Sequence, residues 1–412
     1  MRSKSGATVA AGLTLIWVAG CTGGGQPVAA RTTTPSLAVT SAAPSPQTSV
    51  RPSVAPRPRI QYTLDVASRA NGTVAVLGRT CLTDSSCTTW VRWSTDAGRT
   101  FPRHSQQTVR ADPPPVDGQP EGSGLNRIRL GPKQTAWVWA SGQPGESAPD
   151  LVFWTANDGG TWNSSGEVGY HDVAPFGESA WVLGGACNDS PHPGCFSTLT
   201  DAPAGTDPSA SDTQRPLPAE RAKTFDLRRV SATEAFLLTG TNQADPPEPP
   251  QLWHTHDGAH SWQTVRMPRA CNGAFHIALA AASPGTAWID CQGEPVMTAP
   301  ATLWRTADAG GTWRQLPQPP TFRYAADLVL LSAHHALITS GGRADVSETL
   351  DGGRSWRKVL PYQEIGNGPI EPGPGSALFS VNYQDEKATG VTSTLWRTGG
   401  PGQRWTKITL GP

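Results

Sequence analysis

An octapeptide pattern recurs along this chain, and it demands repeated β-structure. Thr306-Ala307-Asp308-Ala309-Gly310-Gly311-Thr312-Trp313 reads Ser/Thr-x-Asp-x-Gly-x-Thr-Trp. Thr349–Trp356 repeats it with Ser355, and Ser94–Phe101 repeats it with a terminal Phe. Thr155–Trp162 carries Asn157 at the Asp position, and Thr255–Trp262 carries Ala259 at the Gly position. Thr398–Trp405 keeps Gly402 and Trp405 but lacks the Asp. An Asp side chain accepts bonds from nearby backbone amides, and Gly takes the positive φ of a tight turn. Each copy therefore predicts a hairpin turn whose aromatic residue folds back into a sheet.

A second repeat runs in step with the first. Short apolar strands recur at Val74–Leu77, Ala136–Trp139, Ala180–Leu183, Ala235–Leu238, Ala287–Ile289, Ala336–Ile338 and Ala377–Phe379, about 50 residues apart on average. The turn follows each strand start by roughly 20 residues, or 13 in the sixth copy. The strand at 180 predicts a turn near 200, where Thr198–Pro203 reads as a decayed copy. Each unit has room for about four strands; for the fifth these are Phe275–Leu279, Thr286–Asp290, Ala301–Arg305 and Arg314–Leu316. No helical period competes, and 44 Gly with 39 Pro suit a fold made of turns. The expectation is an all-β chain, a seven-bladed β-propeller of four-stranded antiparallel blades over 59–412.

The octapeptide resembles the Asp-box, or BNR repeat, of sialidases, sortilin-type receptors, some glucanases and Ycf48-like photosystem assembly factors. The strand and turn pattern over residues 60–412 is most similar to the Ycf48-like repeats within this sialidase-like superfamily. The resemblance implies that Asp96, Asp257, Asp308 and Asp351 are structural, on turns outside the propeller. Trp162, Trp262, Trp313, Trp356 and Trp405 close the repeats, so they are expected in the core rather than on a sugar-binding surface. Such motifs specify a fold and leave activity open.

The chain starts with Arg2 and Lys4, then an uncharged run from Ala7 to Val18, then Val18-Ala19-Gly20-Cys21. The run is too short to cross a bilayer comfortably. A Cys after two small residues resembles the lipobox of bacterial lipoproteins. That resemblance implies a signal peptide over 1–20, cleavage before Cys21, and acylation (diacylglyceryl, palmitate-type chains) that anchors the protein to the extracytoplasmic face of the cell membrane. Residues 22–58, rich in Pro, Ser and Thr, read with Cys21 as a disordered tether. Of 33 basic side chains, loss of Arg2 and Lys4 leaves 31 against 33 acidic ones, a formal charge near −2. No basic field exists to attract nucleic acid.

With Cys21 acylated, Cys81, Cys87, Cys187, Cys195, Cys271 and Cys291 remain. In the repeat register Cys81 and Cys87 flank a turn of blade 1, and Cys187 and Cys195 do the same in blade 3. Cys271 and Cys291 bracket the first two strands of blade 5. The expectation is three disulfides, each within one blade. No Cys-x-x-Cys pair favours zinc.

Nine residues before each second strand lies an aligned ring: Asp65, Arg127, His171 beside Asp172, Asp226, Ala278 and Asp327. Arg129, Arg228 and Arg229 stand near it. Asp65, Arg127, Asp172, Asp226 and Asp327 form the candidate ligand-contacting set at the funnel; Asp in this position also has a purely structural use, bonding the neighbouring blade. A sialidase needs three Arg, a Tyr–Glu pair and an acid Asp. Arg59-Ile60-Gln61 substitutes poorly for its Arg-Ile-Pro segment, and Tyr362 with Glu364 shows no Arg partners. His254, His256 and His260 straddle a turn and are not assigned to a metal. The residues point to no catalytic set, cofactor or metal. Two functions stay open: a monomeric, non-catalytic module that binds or assembles a protein or glycan partner, or a glycoside hydrolase of sialidase-like or xyloglucanase-like type.

Overall fold

The structure, a computed structural model, describes residues 59–410 except 83–86, 113–124, 140–151, 166–168, 187–195, 208–210, 212, 219–224, 241–248, 275, 294–300, 321–324, 341–344, 361–369, 374–377 and 383–393. The described strands form seven four-stranded sheets, each an antiparallel meander of strands consecutive in sequence. The first strands are Arg59–Ser68, Arg127–Leu130, Gly169–Phe176, Phe225–Arg229, His276–Ser283, Ala325–Leu330 and Ile370–Pro372, in blades 1 to 7. Each contacts the first strand of the next blade, and that of blade 1 contacts blade 7, so these strands line an axis.

The apolar runs become intelligible in this arrangement. A second strand lies inside its sheet, and the sheet lies between two others, so both of its faces are buried. In blade 1, Val74 and Val76 pack with Leu395 and Leu410 of blade 7, while Ala75 and Leu77 pack with Ile128 and Val138 of blade 2. Alternate side chains of one strand thus serve two different interfaces. The same device operates in blade 5, where Ala287 and Ile289 face blade 4 and Trp288 faces blade 6. Seven apolar clusters result, each shared by two successive blades. Burial on both faces explains why these strands read as continuous hydrophobic runs instead of alternating ones.

The octapeptide turns repeat one hydrogen-bond pattern. At Asp308, one carboxylate oxygen accepts the Thr312 amide at 2.8 Å and the other accepts the Thr312 hydroxyl at 2.8 Å. The Thr306 hydroxyl donates to Asp308 at 2.8 Å and accepts the Gly310 amide at 2.8 Å. Asp96, Asn157, Asp257 and Asp351 hold equivalent turns. In the Thr255 turn the buried Ala259 sits at φ +63°, so a methyl group is tolerated where the other turns place Gly. The closing aromatic residues lie between blades: Trp262, Trp313 and Trp356 donate their indole N–H to Pro216, Arg266 and Pro317 of the preceding blade.

The expected third-blade turn is displaced. Thr198–Pro203 is strand, part of Phe196–Pro203. Ala180 pairs with Ala202, as Ala136 pairs with Thr155 and Ala235 with Thr255, so the turn equivalent begins at Ala202. The bend itself falls at Gly205, φ +80°. The Asp position there is Ala204, which removes the side chain that marks the turn elsewhere. In blade 5 the first two strands run longer than expected, His276–Ser283 and Thr286–Gln292. Phe275 lies outside the described residues.

Cys271 and Cys291 form a disulfide in blade 5. Cys87 is disulfide-bonded, and strand register places Cys81 opposite it. Cys187, Cys195 and the expected anchor and tether over 1–58 lie outside the described residues.

Among the described residues no strand is exchanged between blades 1 and 7: blade 1 uses residues 59–112 and blade 7 residues 370–409. The seam is closed by side chains. The Ser68 hydroxyl donates to the Pro372 carbonyl at 2.6 Å, and Arg397 Nε donates to the Ala97 carbonyl at 2.9 Å. Phe101 and Trp90 add to the apolar contact with blade 7.

Candidate functional site: the axial ring of charged side chains

A first strand is a sheet edge, and its outward amides have no partner within their own blade. Asp residues of the preceding blade supply one. Asp65 accepts the Val66 amide at 2.9 Å and the Ile128 amide of blade 2 at 2.9 Å. Asp172 accepts the Val173 amide at 2.8 Å and the Leu227 amide of blade 4 at 3.4 Å. Asp327 accepts the Ile370 amide of blade 7 at 2.7 Å. Between blades 4 and 5, Arg228 takes over and donates Nε to the Leu279 carbonyl at 3.0 Å. Its other contact is Asp226, at 3.1 Å.

The register explains why these residues share a level. Asp65, Arg127, Asp172, Asp226, Ala278 and Asp327 pair with Leu77, Trp139, Leu183, Leu238, Asp290 and Thr339, each three residues past the first residue of its apolar run. Where blade 5 has Ala278, the carboxylate has moved one strand outward, to the fully buried Asp290. Two residues further along the first strand lie Arg129, Arg228 and Glu371, opposite Trp137, Phe236 and Phe379. Glu371 escapes the sequence alignment because it belongs to this second level, in the blade with the weakest repeat. The common level of Arg129 and Arg228 was the signal that could have found it. Arg229 leaves the axis: its guanidinium lies 4.4 Å from the Trp181 ring and bonds Ser179 of blade 3.

Charges from most blades interact here. Arg129 lies 3.3 Å from Asp65 and 4.0 Å from Glu371, linking blades 1, 2 and 7. Burial disfavours its charge, but Glu371, Asp65, Asp172 and Asp327 hold it above its ordinary pKa. Arg228 is likewise raised, by Asp226 foremost against its burial. Burial pushes Asp65 up, against Arg129 and Arg127. Burial also raises Asp226, with Asp172 and Asp327 adding to it against Arg228 and Arg127. Glu371 is pushed up to about 7, by burial first, with Asp65 and Asp327 adding to it against Arg129 and Arg228. Five carboxylates and three guanidiniums thus occupy one ring, and Asp226 and Glu371 keep 25% and 21% of their side-chain surface exposed.

The histidines sit elsewhere. His254 stacks on Phe236 at 4.6 Å, and His260 meets Arg215 at 2.5 Å. Among the described residues no group of His, Cys, Asp and Glu is arranged to hold a metal ion.

No protein-family model matches the chain, and no curated protein sequence does. Solved structures are similar in fold. The β-propeller domain of the trilobed protease from Pyrococcus furiosus, described as having an open velcro topology, matches with a TM-score of 0.50 at 9% identity, over 86% of this chain and 100% of that one. Ycf48 from Cyanidioschyzon merolae matches with a TM-score of 0.46 at 12% identity, over 84% and 95%. The GH74 enzyme of Niastella koreensis matches with a TM-score of 0.43 at 10% identity, over 84% of this chain; the chain spans 65% of that enzyme's length. At such identities the likeness speaks to architecture alone, and the architecture is that of a β-propeller.

Proposed function

We propose that this chain is a non-catalytic binding or assembly propeller, held by acylated Cys21 at the extracytoplasmic face of the membrane, which engages a protein or glycan partner at its axial face. One observation carries the reading. Asp65, Asp172 and Asp327 are tied to backbone amides of the next blade. A glycoside hydrolase needs a pair of carboxyl groups free to serve as acid and as base or nucleophile. Here the remaining axial carboxylates, Asp226 and Glu371, are each matched to an Arg. The same mixture of charge suits recognition of polar or cationic groups. The surplus of acidic groups disfavours an anionic sugar such as sialic acid.

The test is a glycan-array and glycoside-hydrolase screen on the purified chain, beside Asp226→Asn and Glu371→Gln. Binding that weakens in either variant without turnover supports the reading. Turnover of any glycoside that both variants abolish sinks it in favour of a hydrolase. Anchoring is tested separately: Cys21→Ser should leave an unacylated precursor, and a variant found in membranes at mature size counts against the anchor.

A further inference from the structure

The third strand of a blade ends, just before its octapeptide turn, opposite the start of the fourth strand, and the blades fill this cross-strand pair differently. Blade 6 places Glu348 opposite Arg357, and the two form an ion pair. Blade 5 places Arg305 opposite Arg314. Like charges directly opposite across two strands destabilise a sheet, so this pair calls for an explanation. A third guanidinium is close by. Arg305 reaches across to the turn of blade 6, where its Nη1 donates to the Gly352 carbonyl at 3.3 Å, and Arg354 lies two residues further along that turn. Gly352 makes the approach possible, because any side chain there would collide with Arg305 Nη1. Burial lowers the Arg305 pKa first, and Arg354 and Arg314 lower it further, with no carboxylate acting against them. Asp308 and Asp351 have both oxygens engaged by the amides and hydroxyls of their own turns. Among the described residues none of the three Arg side chains forms an ion pair.

We infer that Arg305, Arg314 and Arg354 form a binding site for a phosphate group on the turn-bearing face between blades 5 and 6. The site is separate from the axial ring, and the inference does not depend on the binding reading given for that ring. Arg305 is half-buried and held by its bond to Gly352, while Arg314 and Arg354 are exposed on either side of it. One guanidinium is thus fixed in place and two are free to close on an anion. A guanidinium presents its N–H groups as a planar fork that matches pairs of phosphate oxygens. Three forks suit a tetrahedral anion with several oxygens better than a carboxylate with two. A bound phosphate also removes the repulsion that the Arg305–Arg314 pair builds into blade 5, so ligand binding and sheet stability favour the same state. A free phosphate or phosphate monoester and the phosphodiester of a lipid headgroup share this chemistry, and they differ in charge and in substituents.

Isothermal titration of the full-length chain with inorganic phosphate at low salt should give saturable binding. Arg314→Gln and Arg354→Gln should each weaken it roughly tenfold, the scale of losing one charge-assisted fork. Lys133→Gln removes an exposed cation of blade 2 that pairs with Glu178, and it should leave the affinity unchanged. Melting curves give an independent reading. Without phosphate, Arg314→Gln should melt no lower than the parent, because it relieves a repulsion. Phosphate should raise the parent's melting temperature and raise that of the variant less. A second titration, with glycerophosphoglycerol as the soluble headgroup of phosphatidylglycerol, identifies the source. Tighter binding of this diester than of inorganic phosphate assigns the site to a lipid headgroup, and the reverse order assigns it to a free phosphate or a phosphate monoester. Failure of both probes to saturate the chain overturns the inference. So does an equal loss in Lys133→Gln, binding untouched by both Arg variants, or an Arg314→Gln chain that melts below the parent without phosphate.

Discussion

Two families of carboxylates in this propeller are shifted in opposite directions. Those of the octapeptide turns lie at the surface, Asp308 exposed and Asp96, Asp257 and Asp351 half-buried, and bonds from their own turn hold them down. The Ser261 hydroxyl and amide lower Asp257, those of Ser355 lower Asp351, and the Thr312 amide foremost lowers Asp308. At Asp96 slight burial pushes upward, but bonds from Ser94, Thr100 and Arg99 win and leave it at about 2. Among the axial carboxylates Asp65 is fully buried and Asp226 and Glu371 are half-buried, and loss of solvent drives all three up despite nearby Arg residues. A turn Asp gets its partners from within four residues of itself. An axial Asp gets one from a strand 43 to 63 residues away. The first arrangement secures a hairpin, and the second secures the order of the blades.

The strongest challenge to this contrast is Asp65→Ala. It orphans the Ile128 and Val66 amides and leaves Arg129 short of a counter-charge, which should cost about 3–5 kcal/mol. Urea unfolding of the two proteins measures it, and a loss below about 1 kcal/mol would show that Asp65 is not a strut. The next effect concerns pH. Because Glu371 is raised, its ionisation weakens the fold as pH rises toward and past 7, and Glu371→Gln removes that penalty. The stability of the variant relative to the parent should therefore climb by on the order of 2–3 kcal/mol from pH 5 to pH 8. Taking the difference cancels His254 and His276, which burial lowers and which act in the opposite sense.

The turn carboxylates should respond less. Asp96→Ala is expected to cost about 1 kcal/mol, the scale of losing a side-chain cap on backbone amides. The sign of its pH dependence is reversed: Asp96 contributes stability above the ordinary Asp value near 3.9, and that share disappears as pH falls through about 2. Between pH 5 and pH 8 the Asp96→Ala cost should be flat. The smallest effect belongs to Asp308→Asn, which should melt close to the parent, since Asn157 already holds the equivalent turn of blade 2 through the same amide contact. A large drop there would mean that charge, and not geometry, secures the turns.

The same contrast decides what could be read from the sequence. The turns were legible because Asp, Gly and Trp act within eight residues, and spacing alone exposes them. The second strands were legible because burial on both faces writes an unbroken apolar run. The third-blade turn was misplaced because Ala204 has replaced its Asp, leaving Thr200-Asp201 as a decoy inside a strand. Equal spacing found the level of Asp65, Asp172, Asp226 and Asp327, but not what their oxygens do, because the amides they accept belong to another blade. Glu371 and Asp290 were missed for a related reason. One is two residues along its strand and the other one strand outward, and no linear spacing encodes either displacement.

Because every blade is made from one continuous stretch of chain, the starting point of the polypeptide is arbitrary with respect to its sheets. A version circularly permuted between blades 3 and 4, with a linker joining the present ends across the seam, would keep every strand ladder intact. The same property lets each blade pair its own strands as it leaves the ribosome, without waiting for the last residues to arrive. A propeller that borrowed a strand from its opposite end could do neither.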